Sequence, residues 1–413
     1  MIKGNDHAGP VHSSARIETL DVLRGFALFG VLAVNIGVWL GKPAGSLDLT
    51  VKHLVEFFFE GKFWPLFSLL FGLGFAIQFD RAKAKGARAF WIQLRRMVVL
   101  YGFGVVLMAL FAGNPILVRY AVLGLLLIPF HWLPPRAILA TAFVMLLVAS
   151  VDGPLHRRSR EQNRQRALST QGAGAQQNAG QRPPQGQPTF GEATARGFRQ
   201  SSQVIFTRGF YFSRMSDLFS MFLLGLYAGK RRIHANLAAH RPLMLRVMAW
   251  GLALGITGTT LGGILADWAK TGLMQVMTYR FAYIGGGNLQ GLGYAAGIVL
   301  LAGNAGWWRR LHVLAFAGRM PLTNYLTQWM IMRILFDRFF IGLNQTLGLA
   351  AGFLIACGIL ALQLGWSRWW MARFRFGPAE WLWKTLAYLK VQPMHAGVES
   401  TQPPLQPSSC FAS

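Results

Sequence analysis

The segment "RIETLDVLRGFALFGVLAVNI", residues 16–36, decides the fold class of this protein. It opens with two arginines and two acidic residues, and from Gly25 onward it is apolar except for Asn35. The apolar run continues to Leu40, so residues 20–40 have the length, about 20 residues, that crosses a bilayer core as a helix. The segment therefore predicts a membrane-spanning helix with charged side chains at its mouth.

The rest of the chain repeats this pattern. Of its 413 residues, 53% are hydrophobic and 14% are charged, so it is more apolar than most soluble proteins. The alternation of period two that marks a transmembrane barrel is not visible in the sequence. We therefore predict an all-α, polytopic transmembrane helical bundle of about ten spans. The predicted spans are residues 20–40, 63–79, 92–112, 116–133, 136–151, 211–229, 243–266, 281–302, 313–336 and 346–371.

Basic residues greatly outnumber acidic ones, at 41 against 15, and the net charge is +26. In a soluble protein this charge suggests nucleic-acid binding, but here much of it lies in short stretches between apolar runs. These stretches are residues 81–96, 230–246, 309–310 and 373–390, and a count of ten spans places all four on one face. The positive-inside rule makes that face cytoplasmic, with both termini inside. We expect contact with anionic membrane lipids and no nucleic-acid partner.

One polar segment interrupts the apolar pattern. Residues 152–210 contain the low-complexity stretch "TQGAGAQQNAGQRPPQGQP", which cannot bury a core and is predicted to be disordered. It separates an N-terminal membrane half, residues 1–151, from a C-terminal half, residues 211–391, each with about five spans. The ten-span topology puts the polar segment outside the cytoplasm. The tail, residues 392–413, is also predicted to be disordered.

Cysteine and histidine form neither a disulfide pattern nor a metal-binding pattern in the sequence. The two cysteines, Cys357 and Cys410, are too few for a disulfide framework, and the nine histidines are scattered without an HExxH motif. There is also no phosphate-binding glycine loop and no serine nucleophile elbow. The sequence therefore predicts neither a metal nor a tightly bound cofactor.

The first predicted span carries a candidate binding group. Asp21 and Arg24 are three residues apart and can pair on one face of a helix. Asn35 follows Arg24 by eleven residues, about three turns, and shares that face. One interpretation is a polar stripe that faces the bundle interior and binds substrate. The other is a local ion pair with a snorkelling arginine and an asparagine that joins helices.

A second group lies around the entry to the second predicted span, in "EGKFWPLFSLLFG", residues 60–72. Lys62 is flanked by aromatic residues, and Ser68 lies two turns into the span. Lys62 is a candidate for proton transfer or for binding an anionic acceptor, and the alternative is a snorkelling lysine in an aromatic belt. His53 and Glu56 precede it with the spacing of a histidine oriented by a carboxylate, the usual general-base arrangement. A solvated loop histidine is the alternative.

The third group is in "GRMPLTNYLTQ", residues 318–328. Arg319 lies well inside the ninth predicted span, where an arginine is costly unless it faces a cavity or a partner. Pro321 is expected to break the helix next to it and free backbone groups for a ligand. Arg319 is a candidate for binding donor phosphates, and the alternative is a pair with Asp21. The polar residues that follow and complete this group are Thr323, Asn324 and Tyr325.

Four motifs together resemble the bacterial DUF418 (YeiB-like) membrane family. They are the opening segment 16–36, "EGKFWPLFSLLFGLGFAIQFDR" (60–81), "AGRMPLTNYLTQWMI" (317–331) and "FGPAEWLWKTLAYLK" (376–390). They come in the family's order and extend over nearly the whole chain. The resemblance implies a multi-pass protein of the bacterial inner membrane.

That family is similar in turn to a wider group of transmembrane acyltransferases, which share an R-x-x-x-L-D-x-x-R-G start to the first span. The matching residues here are Arg16, Leu20, Asp21, Arg24 and Gly25. Many acyltransferase-3 proteins have a histidine near the end of this span, where this chain has Asn35, which cannot act as a general base. A second departure is Pro115, where DUF418 relatives tend to have an aspartate.

The wider resemblance implies transfer of an acyl group from a cytoplasmic donor, such as acyl coenzyme A, to an envelope glycan or lipid. Under this hypothesis His53, Glu56 and Lys62 are the catalytic candidates. The substrate-binding candidates are Asp21, Arg24, Asn35, Ser68, Arg319, Thr323, Asn324 and Tyr325. Two alternatives stay open on the sequence: a transporter of a small or lipid-like substrate, in which the same groups line a path, and a non-catalytic membrane assembly protein.

Overall fold

The computed structural model describes most of the chain. The described residues are 12–40, 45–84, 89–111, 116–149, 191–192, 195, 198–199, 212–237, 239–268, 274, 278, 286–337 and 339–395. The predicted disorder of 152–210 and 392–413 lies almost entirely outside these residues. It stays a prediction, as does the division of the chain at those boundaries.

The described residues form helices and no strand, which confirms the predicted all-α class. The first half contains α1 (His12–Trp39), α2 (Ser46–Phe58), α3 (Phe63–Ala84), α4 (Ala89–Phe111), α5 (Ile116–Leu127) and α6 (Pro135–Ala149). The second half contains α7 (Phe212–Lys230), α8 (Arg241–Trp268), α9 (Leu289–Ala302), α10 (Ala305–Arg319), α11 (Pro321–Phe336), α12 (Leu349–Met371) and α13 (Pro378–Tyr388).

Five helical segments in the described part are long and apolar enough to cross a membrane. They are Glu18–Trp39, Ser46–Ala84, Ala89–Leu110, Arg241–Leu265 and Leu349–Met371, and two shorter apolar helices accompany them, Ile116–Trp132 and Pro135–Ala149. The protein is therefore membrane-embedded, because such segments find their favourable solvent in lipid. The total of ten spans stays a prediction.

The ninth predicted span, 313–336, is interrupted in the structure where Pro321 was expected to break it. The helix stops at Arg319, Met320 leaves the helical conformation, and a new helix begins at Pro321. Proline has no N–H to continue the preceding helix, but its fixed φ suits the first position of the next one. The structure thus replaces one continuous span with α10 and α11, and it puts Arg319 at an exposed helix end.

Close backbone contact joins α1 to α10. A Cβ atom on Gly25 would collide with the carbonyl oxygen of Leu314, and one on Gly318 would collide with the carbonyl oxygen of Asp21. The α3–α7 pair uses the same device, since Gly72 faces the carbonyl of Phe222. Small residues at such crossings let helices approach closely without the hydrophobic effect that drives packing in water.

Several charged helix ends meet at one end of the bundle. The Nζ atom of Lys230, at the end of α7, donates to the carbonyl oxygens of His131 (2.6 Å) and Leu133 (2.7 Å), which follow α5. The Nε2 atom of His131 lies 3.7 Å from an Oδ1 atom of Asp80 near the end of α3. The carboxyl ends of α3, α5 and α7 therefore lie together, as alternating passes across a membrane require.

A carboxylate from another element caps the start of α12. The Oδ1 atom of Asp48, on α2, accepts a hydrogen bond from the backbone N–H of Ala350 at 2.9 Å. The first N–H groups of a helix have no partner within it, and a negative charge also complements the helix dipole. Asp48 therefore fixes the position of α2 against the start of α12.

The packing at Gly318 gives a first prediction. Gly318→Ala should lower the free energy of unfolding by about 1–3 kcal/mol, because its methyl group collides with the backbone of α1. Gly365→Ala on α12 is the matched control. Nothing lies near its added Cβ, so helix propensity should raise stability by up to about 1 kcal/mol. Thermal unfolding of the two detergent-purified variants measures both changes, and equal shifts would contradict the packing described for α1 and α10.

Candidate functional site

A cavity of about 670 Å³ opens within the bundle, between α1, α3, α4, α5, α10, α11 and α13. Its volume lies in the range of sites that bind small molecules. We call it the central cavity. Its wall changes character along its length, from basic at one end to apolar and aromatic deeper in the bundle.

Five cations from five helices line one part of the central cavity. We call this group the basic mouth, and its members are Arg24, Arg81, Arg96, Arg319 and Lys384. Among the lining residues that the structure describes, Glu380 is the one carboxylate, and Asp21 stands next to the wall as the partner of Arg24. Two acids against five bases leave a surplus of positive charge, which favours an anionic ligand.

The deeper wall is apolar and aromatic. Leu28 and Val31 come from α1, Phe67 and Leu70 from α3, and Leu117 from α5. Tyr120 and Tyr325 add aromatic surface with hydroxyl groups. The central cavity is therefore amphipathic, with its charge gathered at one end.

Asp21 and Arg24 form the ion pair that their spacing predicts. The Nη1 atom of Arg24 lies 2.5 Å from Oδ1 of Asp21, and the arginine side chain is 26% exposed. Arg319 makes no ion pair with Asp21 in the described part of the chain, so the predicted alternative of an Asp21–Arg319 pair is not the observed arrangement. Arg319 instead stands exposed on the cavity wall.

Arg96 is a member of the basic mouth that sequence reasoning missed. It is 6% exposed, its guanidinium lies 4.3 Å from the ring centre of Trp383, and its Nε atom has no hydrogen-bond partner in the structure. The sequence interpretation counted Arg95 and Arg96 together as cytoplasmic orientation charges. Helical spacing could have distinguished the two arginines. Gln93, Arg96 and Leu100 follow one another on a single buried face of the helix, whereas Arg95 is exposed.

Glu380 holds α13 against the start of α11. Its Oε1 atom accepts hydrogen bonds from the N–H groups of Leu322 (2.5 Å) and Thr323 (3.0 Å), and its Oε2 atom accepts one from the Thr323 hydroxyl (2.5 Å). The residue that precedes α11, Met320, supplies no cap of its own. Burial raises the pKa of Glu380 above its usual value, although these hydrogen bonds oppose the shift. Glu380 therefore caps α11 from a different helix.

Lys384 is one turn further along α13. Its Nζ atom lies 3.6 Å from the ring centre of Phe376. Burial, together with the positive charge of Arg96, lowers the pKa of Lys384 to about 8, while the negative charge of Glu380 opposes the shift. Lys384 therefore titrates near neutral pH, unlike the arginines of the basic mouth.

The structure brings some predicted binding residues to the central cavity and leaves others outside it. Arg24, Asn35, Arg319 and Tyr325 line it. Ser68 lies behind the wall, with its hydroxyl 2.9 Å from the hydroxyl of Tyr120. Asp21 reaches the site through Arg24.

Two predicted binding residues on α11 serve the packing of helices. Thr323 is engaged by Glu380 and also accepts the N–H of Ala379 at 3.1 Å. Asn324 donates to the carbonyl of Ala317 (3.2 Å) and to the hydroxyl of Ser367 (3.1 Å). Their hydrogen-bonding capacity is used by other helices and not by the cavity.

The three catalytic candidates are not brought together at the central cavity. His53 is exposed on α2, and Glu56 pairs with Lys52 (3.6 Å) on the same helix. Lys62 is buried, and its Nζ atom donates to the carbonyl of Glu56 at 2.8 Å. No contact in the described residues orients His53 by Glu56, because the glutamate carboxylate pairs with Lys52 instead.

These features define a membrane-embedded helical protein with an amphipathic cavity that is basic at one end. Residues 228–390 match the family described as "Protein of unknown function (DUF418)". This match confirms, for that part of the chain, the resemblance to the DUF418 (YeiB-like) family that the sequence motifs predicted.

Two similar proteins come from Bacillus subtilis and Escherichia coli. "Uncharacterized protein YxaH" of Bacillus subtilis (strain 168) is 28% identical over 410 residues, which cover 93% of this chain and 97% of that protein. "Uncharacterized protein YeiB" of Escherichia coli (strain K12) is 26% identical over 397 residues, with coverage of 90% and 96%. No solved structure gives a significant match.

The capping by Glu380 gives a second prediction. Glu380→Ala should lower the free energy of unfolding by about 1–3 kcal/mol, because it leaves buried N–H groups of α11 without a partner. Thermal unfolding and the rate of tryptic cleavage at Lys384 and Lys390 are the measurements, since α13 should detach more often. Glu60→Ala, at an exposed carboxylate, is the control and should change stability by less than about 0.5 kcal/mol. Identical behaviour of the two variants would contradict the capping role.

Proposed function

We propose that this protein is a multi-pass protein of the bacterial inner (plasma) membrane, with both termini in the cytoplasm. In this proposal the central cavity binds an acyl donor with a phosphate-bearing head, such as an acyl coenzyme A thioester. The protein then transfers the acyl group to an envelope glycan or lipid. The observation that carries the proposal is a single cavity that is basic at its mouth and apolar within.

The basic mouth suits phosphate for three reasons. Arginine presents a planar fork of donors that matches phosphate oxygens, and the group includes Arg24, Arg96 and Arg319. The Nε atom of Arg96 still lacks an acceptor. The one acid in the described wall, Glu380, is already occupied by three hydrogen bonds from α11.

The distribution of charge supports the proposed cytoplasmic orientation of the basic mouth. The basic mouth lies at the same end of the bundle as the start of α1, the end of α3 and the start of α4, and it includes Arg81 and Arg96 from the basic stretch 81–96. The positive-inside rule assigns this end to the cytoplasm. A donor made in the cytoplasm would then reach the cavity without crossing the membrane.

A second candidate function is transport of an intact lipid-like anion. The observation that favours it is the position of His53, Glu56 and Lys62, none of which lines the central cavity. Acyl transfer needs a group that accepts the proton of the attacking hydroxyl, whereas transport needs only a lined path. The wall continues from the basic mouth to Asn35 and Trp64, toward the opposite end of α1 and α3.

Arg319 gives the third prediction, which tests the proposed function. In nanodiscs, Arg319→Gln should weaken the binding of palmitoyl coenzyme A by about tenfold to a hundredfold, because charge-assisted hydrogen bonds to phosphate are lost. Arg309→Gln is the matched control, since Arg309 is exposed on the same helix and does not line the cavity. Its affinity should stay within about twofold of the parent protein.

Empty nanodiscs correct for partition of the ligand into lipid. Equal losses in the two variants, or no saturable binding by the parent, would refute the proposal. In liposomes, release of free coenzyme A with labelled acyl product on an added glycan acceptor indicates transfer. Appearance of the intact thioester in the lumen indicates transport instead.

Lys384 gives the fourth prediction, on pH. Its lowered pKa, about 8, means that it is charged below pH 8 and loses its charge above it. Affinity for palmitoyl coenzyme A should therefore fall as pH rises from 7 to 9.5, by at most about tenfold per unit, since the ligand phosphates stay ionised throughout. Lys384→Arg should bind at high pH as the parent does at pH 7, because arginine keeps its charge. A fall of the same size in that variant would assign the pH dependence to another group.

A further inference from the structure

Asn35 lies far from the basic mouth but on the same cavity. Both Arg24 and Asn35 belong to α1 and line the central cavity, and eleven residues separate them. Eleven residues are about three helical turns, so the two side chains share a face and lie about 16 Å apart along the helix axis. The cavity therefore joins a cationic group to a neutral amide at a fixed separation.

The carbonyl oxygen of the Asn35 side-chain amide is buried and unsatisfied. The residue is 2% exposed, and its Oδ1 atom has no hydrogen-bond partner in the structure. A buried acceptor without a partner costs about 1–3 kcal/mol. Asn324 shows what a packing asparagine does in this bundle, since it is 1% exposed and hydrogen bonds to Ala317 and Ser367.

We propose that the carbonyl of Asn35 recognises a hydroxyl group of the ligand, held about 16 Å from an anionic head at the basic mouth. This inference rests on the proposed function, because it takes the basic mouth as the site of the head. An acceptor without a partner requires a donor, and a hydroxyl is a donor that can pass an apolar wall without carrying charge. An ammonium group is disfavoured by both the apolar wall and the surplus of positive charge.

The hydroxyl has two sources with the same chemistry. It belongs either to the chain that carries the anionic head or to a separate acceptor alcohol that enters beside it. Dodecyl phosphate and 12-hydroxydodecyl phosphate test the first source, because their extended length is close to three helical turns. Dodecyl phosphate titrated with and without methyl glucoside tests the second source.

All binding is measured on the full-length protein in nanodiscs, against empty nanodiscs. The parent should bind 12-hydroxydodecyl phosphate about tenfold more tightly than dodecyl phosphate, or should bind dodecyl phosphate about tenfold more tightly when methyl glucoside is present. Asn35→Leu should remove this preference for a hydroxyl, so that the ratio of the two affinities is close to one. Its affinity for dodecyl phosphate itself should stay within about twofold of the parent's. The same variant should unfold at the same temperature as the parent or higher, because it removes an unsatisfied buried acceptor.

Gln93→Leu is the matched control for this change. Gln93 also lines the cavity and has an unsatisfied Oε1 atom, but it is one turn from Arg96 at the basic end. The hydroxyl ratio should survive in this variant, whatever happens to overall affinity. Asn35→Ala replaces Asn35→Leu if leucine prevents folding.

Three outcomes overturn the inference. If the parent binds 12-hydroxydodecyl phosphate no more tightly than dodecyl phosphate, and methyl glucoside does not tighten the binding of dodecyl phosphate, no hydroxyl is recognised. If the preference for a hydroxyl survives in Asn35→Leu, another residue recognises it. In both cases the proposed function still stands if the parent binds dodecyl phosphate and Arg319→Gln does not. Absence of saturable binding by the parent to either phosphate overturns the inference together with the proposed binding of an anionic head.

Discussion

The site depends on the hydrogen bonds by which Glu380 caps α11. The break at Met320 and Pro321 starts a new helix inside the bundle, and its first N–H groups face neither water nor a preceding turn. The carboxylate of Glu380 satisfies two of them and the Thr323 hydroxyl. Because that carboxylate belongs to α13, the same contact that completes α11 also holds α13 on the cavity wall.

Consequences of this contact extend along α13. With Glu380 fixed, Trp383 lies against Arg96, and its Nε1 atom donates to the carbonyl of Arg96 at 2.9 Å. Lys384 then joins the basic mouth. The break also leaves Arg319 at a helix end that lines the cavity. One carboxylate thus organises cations that come from three different helices.

Close packing of α1 and α10 sets the other side of the mouth. Without side chains at Gly25 and Gly318, the two backbones approach closely enough to bring Arg319 near the Asp21–Arg24 pair. The positive charge of Arg319 acts on Asp21 without forming an ion pair with it. A single carboxylate therefore stands beside two arginines, and it forms its ion pair with Arg24.

Sequence alone predicted the helical class and the break at Pro321, because apolar length and proline chemistry are local properties. It also selected Arg24, Asn35 and Arg319, which line one cavity. It missed Arg96 and Lys384, since a basic stretch near a membrane has an adequate explanation in orientation and only tertiary packing turns one residue of such a stretch inward. It placed His53 beside Glu56 by spacing, yet Lys52 on the same helix is a competing partner that a spacing rule does not weigh.

Asn35 and Asn324 differ in their hydrogen bonding. Both are buried amides on apolar helices of the same bundle, so their burial alone does not distinguish a packing role from a binding role. The difference lies in hydrogen bonding. Asn324 joins α11 to its neighbours and thereby contributes to stability, whereas the carbonyl of Asn35 has no partner and faces a cavity. Under the proposed function, a ligand satisfies both the uncompensated polar atom at one end of the cavity and the uncompensated positive charge at the other.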